Sequence, residues 1–237
     1  FFKNLQKINN DEKTSLFNKS LINFIFSKIE NKKQNFKKEI EYLELSHNQC
    51  YNSNLLINSQ SDFYYKSIIS NCFNKVNFEN DFKPISKFND SKHIFIIGLP
   101  RSGSSLVETI ITHNTHNIFS VGEFHAVNPS ILNQIGNLIF SKDFESENYQ
   151  INLNKKMFQE SLIEKYNNFE KKTFVDKSLE NFFNIEIILK FFPNAKFIHT
   201  YRNFDDAVIA IYKTMLTNLS WSHSIKNIID YINLYNK

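Results

Sequence analysis

Apolar residues recur at three-and-four spacing over residues 14–26, 34–50 and 61–73, between connections rich in Asn, Ser and Lys. That period predicts three amphipathic helices. Residues 1–80 therefore read as a helical preface, one or two helix–turn–helix units, with no self-similar period to define a repeat array. Residues 81–92 are polar around Pro84 and read as a linker. Beyond them, short apolar runs alternate with longer amphipathic stretches. The runs 93–97, 173–175 and 196–200 predict buried strands, whereas 106–111, 182–192, 205–219 and 224–235 predict helices. Strand alternating with helix predicts an α/β domain over 93–237, a parallel sheet flanked by helices and preceded by a small all-helical region.

Composition narrows the class. Of 237 residues, 41% are hydrophobic and 22% charged, a balance that suits a globular chain and argues against wholesale disorder. No run reaches the roughly 18 apolar residues of a bilayer span. The best early apolar segment, 21–29, is broken by Asn23, Ser27 and Lys28 and carries no secretory signal. The chain starts at Phe1 rather than Met, which leaves a leader open, and its last helix stops at Lys237 without a terminator, so it reads as truncated. A net charge of +4 without basic blocks makes no case for nucleic acid. Cys50 and Cys72 stand alone, without metal-ligand spacing, and read as reduced, buried thiols of a cytoplasmic protein.

Two scarcities carry more information. The chain has 4 glycines where average usage gives roughly sixteen, yet Gly98 and Gly103 lie close together. Of 28 basic residues only Arg101 and Arg202 are arginine. A guanidinium presents a planar five-donor fork suited to phosphate or sulfate oxygens, whereas an ordinary surface accepts lysine. Both arginines are therefore candidate anion ligands.

Arg101 falls inside the run Ile96-Ile97-Gly98-Leu99-Pro100-Arg101-Ser102-Gly103-Ser104-Ser105, between a predicted strand and a predicted helix. The glycine spacing is that of a phosphate loop, so the sheet is of P-loop type. In such a loop backbone N–H groups and a helix N-terminus converge on one anion. The lysine that normally follows the second glycine is replaced by Ser104. ATP-dependent phosphoryl transfer thereby loses a principal charge, and Arg101 offers a cation from another direction.

The segment Leu99-Pro-Arg-Ser-Gly-Ser-Ser-Leu-Val-Glu108 resembles the sulfotransferases that use 3′-phosphoadenosine 5′-phosphosulfate, most closely their bacterial tetratricopeptide-associated and tyrosylprotein-type branch. The resemblance implies that Pro100, Arg101, Ser102, Gly103, Ser104 and Ser105 hold the 5′-phosphosulfate, with serines where the family usually has threonines. It implies Glu123, after Val121-Gly122, as catalytic base. In Val175-Asp176-Lys177-Ser178, with Asn181 beyond, it implies that Lys177 contacts the sulfuryl and leaving oxygens. In the run from Phe192 to Arg202, with Asp206 beyond, it implies that Arg202 grips the 3′-phosphate. One departure stands out, since the serine expected eight residues after that arginine is Ala210.

The residue types suit the same chemistry. Sulfuryl transfer requires in-line hydroxyl attack, a base, and cations where charge grows on the bridging oxygen. Glu123, Lys177 and Arg101 match those roles, and no metal is expected. The expected partner is an acceptor bearing a hydroxyl, on a peptide (protein sulfation), a sugar or a small molecule, and the helical preface is a candidate surface for a protein partner. Alternatives stay open. His125 is a rival base, Glu123 a carboxylate near a helix N-terminus, Lys177 a solvated lysine, His199 a hydrogen-bonded core residue, and Asp206 a helix-start charge. At the level of the whole protein the alternatives are a non-catalytic scaffold with a degraded cofactor site, and a nucleotide kinase using Asp176 as a metal carboxylate.

Overall fold

The computed structural model describes residues 2–68, 76–77, 92–113, 117–125, 127, 151–152 and 173–237. Helices α1 (Phe2–Asn10), α2 (Leu16–Lys32), α3 (Phe36–Ser53) and α4 (Leu55–Phe63) lead into a π-helical turn, Tyr64–Ile68. Strands β1 (Val76–Asn77) and β2 (Lys92–Gly98), helix α5 (Ser104–Thr112) and strands β3 (Ile118–Gly122), β4 (Ile151–Asn152) and β5 (Thr173–Asp176) follow. A 3₁₀ turn, Leu179–Asn184, precedes α6 (Ile185–Phe191), β6 (Lys196–Thr200), α7 (Phe204–Tyr212), a second 3₁₀ turn, Ser220–His223, and α8 (Ile225–Tyr235). The chain forms two compact units, one of Phe1–Ser67 with Phe204–Lys237 and one of Ile68–Asn203. Of the linker read from sequence, Lys92 opens β2 and residues 81–91 lie outside the described residues, as do Cys72 and the end of the helix expected at 61–73.

In the first unit, Ser15 caps α2 by accepting from the Asn18 amide at 3.2 Å, which satisfies one of the helix's orphan donors. Ile22 and Phe26 of α2 and Leu43 and Cys50 of α3 are buried against each other's helix faces. Each such side chain contributes about 1.5–3 kcal/mol on leaving water. Burial pushes the Cys50 thiol pKa up. The helix expected at 205–219 ends early, at Tyr212. Thr214 Oγ1 donates to the Ala210 carbonyl at 2.6 Å, and Met215 takes a left-handed φ of +53°, so the chain leaves the helix. Its remaining apolar residues reach the core through a turn instead. Trp221, 2% exposed, stacks on Tyr231 at 3.8 Å between ring centroids.

A buried histidine pair fixes the same region. His47 Nε2 lies 2.8 Å from the Tyr212 carbonyl, which only accepts, so Nε2 carries the proton. Nδ1 of His47 then accepts from Nδ1 of His223 at 3.0 Å. Burial, foremost, pushes the His47 pKa down to about 4, keeping the ring neutral at pH 7. No helix among the described residues is long and apolar enough to cross a membrane.

The second unit holds a four-stranded parallel sheet in the order β3-β5-β2-β6 and a short parallel pair, β1 with β4. Central strand β2 reads Lys-His-Ile-Phe-Ile-Ile-Gly with Phe95 and Ile96 fully buried, the near-continuous apolar run of a strand covered on both faces. Its neighbour β5 buries Phe174 and Val175 completely. The edge strand β6 behaves differently. His199, expected in the core, is exposed there, and among the described residues β6 pairs with β2 alone, at the end of the strand order.

Candidate functional site

Because the sheet is parallel, all four strands deliver their carboxyl ends to one edge, where open α/β sheets bind ligands. The residues expected to bind the donor or to act on it follow such ends. The segment 99–103 follows Gly98 of β2, Glu123 follows Gly122 of β3, Lys177 follows Asp176 of β5, and Arg202 lies two residues past Thr200 of β6. Register aligns these ends, with Gly98 opposite Thr200 and Gly122 opposite Asp176.

Unusual backbone dihedrals mark the segment from Gly98 to Ser105. Gly98 has φ +143°, and a Cβ there would stand 2.6 Å from Thr200 Oγ1, so only glycine fits. Gly103 (φ +93°) is the N-cap of α5 and supplies no side-chain cap. Arg101 takes a left-handed φ of +67°, a conformation costing a non-glycine residue about 1 kcal/mol and concentrated at functional positions. Leu106 and Val107 amides turn back to the Gly103 carbonyl at 3.0 and 3.1 Å, so the helix is fully formed from its first turn. A cleft of about 410 Å³ opens here, lined by Arg101, Ser102, Gly103, Ser104, Ser105 and Arg202. The two arginines of the chain thus face one cleft. Arg202 Nη1 donates to the Arg101 carbonyl at 3.1 Å, linking the ends of β2 and β6. Pro100, at the loop's start, is half-buried.

Glu123 and Lys177 meet directly. The Lys177 amide donates to the Gly122 carbonyl at 2.8 Å, and its Nζ donates to Glu123 Oε1 at 2.7 Å. A bulge between Ser120 and Gly122 shifts the register of β3 just before this point, and a bulge bends its strand and re-aims the side chains beside it. The Lys177 side chain is 10% exposed, whereas Glu123 is 56% exposed. Lys177 is therefore not the solvated lysine of the bland alternative. His125 Nε2 lies 3.8 Å from Glu123 Oε2, whereas Lys177 contacts Oε1. Its backbone amide donates to Ser178 Oγ at 2.7 Å.

Glu108 completes this cluster and was given no role from sequence. It is the one charged residue of α5, which is the signal that marks it. Its Oε2 lies 3.9 Å from Lys177 Nζ, and Oε1 accepts from the Ser120 hydroxyl, whose Oγ in turn accepts from the Gly122 amide at 3.0 Å. Lys177 thus bridges a nearly enclosed carboxylate and an open one. Asp176 is fully buried and accepts from the Ser178 amide at 2.7 Å. That turn-forming role leaves it poorly placed to be the metal carboxylate of a kinase. Asn181 is buried, and its Nδ2 has no hydrogen-bond partner among the described residues.

Residues 93–237, more than half of the chain, match the model of the sulfotransferase family. An uncharacterized protein of Aquifex aeolicus (strain VF5) is 31% identical over 130 residues, a stretch covering 51% of this chain and 17% of that protein. The chain thus spans under a fifth of that relative's length. No solved structure gives a significant match.

Proposed function

The chain belongs to the sulfotransferase family, and on that premise we propose that it moves a sulfuryl group from 3′-phosphoadenosine 5′-phosphosulfate to an acceptor hydroxyl. The observation that carries this reading is the cleft where both arginines meet the uncapped start of α5. Such a donor has anionic groups at two ends, and the cleft offers a guanidinium at each of two strand ends, with backbone amides between them. The donor set therefore fits. The bound donor supplies an activated sulfuryl group whose bond to the 5′-phosphate breaks as the bond to the acceptor oxygen forms.

The residues then divide the work. Loop 100–105 and Arg101 hold the reacting end, and Arg202 holds the 3′-phosphate. Glu123, exposed enough to meet an acceptor, takes the proton from the attacking hydroxyl. Lys177 donates to the bridging oxygen as negative charge gathers there. For the two to act, the 2.7 Å Lys177–Glu123 contact has to open, with Glu108 retaining the lysine. The acceptor class stays broad, because acceptor choice rests on pocket shape. A protein partner for the helical preface and a cytoplasmic setting, suggested by the buried free Cys50, belong to the same proposal.

Conservative arginine replacements test the assignment, since lysine keeps the charge and loses the fork. Calorimetry on adenosine 3′,5′-bisphosphate and adenosine 5′-monophosphate is expected to show Arg202→Lys reducing the preference for the bisphosphate by about tenfold. Arg101→Lys is expected to keep that preference and slow transfer instead. Unchanged affinities and rates in both variants contradict the two-ended anion site.

A further inference from the structure

The loop and the end of β6 are joined by two hydroxyls whose protons can be assigned. Ser102 Oγ lies 2.7 Å from the Leu99 carbonyl and 2.7 Å from Thr200 Oγ1, and Thr200 Oγ1 lies 3.2 Å from the Ile97 carbonyl. Two hydroxyls bring two protons to three contacts. If Ser102 donated to Thr200, its oxygen would face the Leu99 carbonyl oxygen at 2.7 Å with no proton between them. Both short contacts are satisfied only when Ser102 donates to Leu99 and Thr200 donates to Ser102, the Ile97 carbonyl being a long second acceptor. The Ser102 proton is thereby used within the loop. Although Ser102 lines the cleft, its hydroxyl has no proton left for an anion.

Thr200 is 6% exposed and stands opposite Gly98 in the sheet register. The absent side chain of Gly98 is what lets it approach, since a Cβ would collide with both its hydroxyl and its carbonyl. Two residues later the chain reaches Arg202, whose guanidinium holds the Arg101 carbonyl at 3.1 Å. The Thr200–Ser102 bond therefore sits where the span between the two arginine-bearing ends is set.

We propose that Thr200 and Ser102 form a positioning brace that fixes the phosphate loop against the end of β6, and so sets the preference for nucleotides phosphorylated at both the 3′ and 5′ positions. This rests on the donor assignment above. Neither residue acts as a ligand donor through its hydroxyl. Both act on Arg101 and Arg202 by holding the backbone that carries them. A ligand with one anionic end needs either arginine alone and is insensitive to the span, whereas a two-ended ligand needs both at a set distance.

The test is calorimetric titration of the full chain with adenosine 3′,5′-bisphosphate and adenosine 5′-monophosphate. It compares wild type, Thr200→Val, Ser102→Ala, the double variant and Thr200→Ser, each with its melting temperature. Thr200→Val and Ser102→Ala are each expected to lower the bisphosphate preference about tenfold, the scale of one hydrogen bond. The double variant should match either single, because both remove one interaction. Thr200→Ser, which keeps the hydroxyl, should retain the wild-type preference. Ser102→Ala alters only a half-exposed loop residue, so it reports even if Thr200→Val unfolds. A wild type that prefers the bisphosphate, with variants that keep the preference and merely melt lower, overturns the brace alone. Effects that multiply in the double variant do the same. A wild type that binds neither nucleotide contradicts the donor assignment and takes the brace with it.

Discussion

Glu123→Gln is expected to cut sulfuryl transfer by about 10²–10⁴-fold, the usual contribution of a general base, while leaving affinity for adenosine 3′,5′-bisphosphate close to wild type. The amide preserves size and still accepts from Lys177 Nζ, which donates to Oε1 at 2.7 Å, but it cannot take up the acceptor's proton. Exposure argues for the same role: at 56% exposed Glu123 is open to an incoming hydroxyl, in contrast to Glu108 at 16%. Release of the bisphosphate from the sulfuryl donor, followed with phenolic and sugar hydroxyls as acceptors, measures the loss. His125→Ala is the necessary companion, because His125 Nε2 stands 3.8 Å from the same carboxylate. Normal turnover in Glu123→Gln with a dead His125→Ala would transfer the base to the histidine.

Lys177→Met should slow transfer by about 10²–10³-fold, the scale of losing one preorganised donor to a developing charge. Nucleotide affinity should fall by less than about tenfold, since the interaction matures only as the leaving oxygen gains charge. Methionine approximates the length of the lysine stem, so the buried position stays filled. The substitution also strands Glu108, whose side chain is nearly enclosed, without its cation. A lower melting temperature is therefore expected, relieved in part when Glu108→Gln is added. Full transfer rates in Lys177→Met, with the melting temperature alone reduced, would make the lysine a structural partner of Glu108.

The sequence made the ends of β2 and β6 legible because each carries an unusual residue, whereas Glu123 and Lys177, after β3 and β5, were marked only by the family resemblance. Gly98 and Gly103 stand out in a chain with 4 glycines, and Arg101 and Arg202 stand out among lysines. Buried apolar runs marked β2, β5 and β6, and their alternation with helices indicated the parallel sheet. Strand β3 escaped, because its five residues are half-buried or exposed and contain Ser120 and a bulge, which erases the period-two signal. The early end of α7 was hidden for a related reason. Met215 and Trp221 continue an apolar pattern, but they bury themselves through a turn with a positive φ at Met215, and tertiary packing overrode the period. His199 failed in the other direction, since an apolar neighbourhood in sequence does not reveal that, among the described residues, β6 ends the strand order.

Pairings across long sequence separations were the least legible. Glu108 and Lys177 are joined only by folding, as are Ser102 and Thr200. Neither contact leaves a local pattern, because each depends on which strand ends the sheet order brings together. The grouping of residues 204–237 with the N-terminal helices is of the same kind. It rests on contacts such as Lys213 Nζ with the buried Glu39 at 2.6 Å, which no spacing rule anticipates.

The measurement that bears most directly on the central claim is thermal unfolding of the wild-type chain with adenosine 3′,5′-bisphosphate, and separately with ATP and magnesium. A ligand that binds the native state raises its melting temperature, by about 2.7 kcal/mol of added stability at one hundred times its Kd. Two arginines at one cleft, with Ser104 where a kinase loop has lysine, predict stabilisation by the bisphosphate and none by ATP with magnesium. Stabilisation by ATP with magnesium alone would contradict the sulfuryl-donor site.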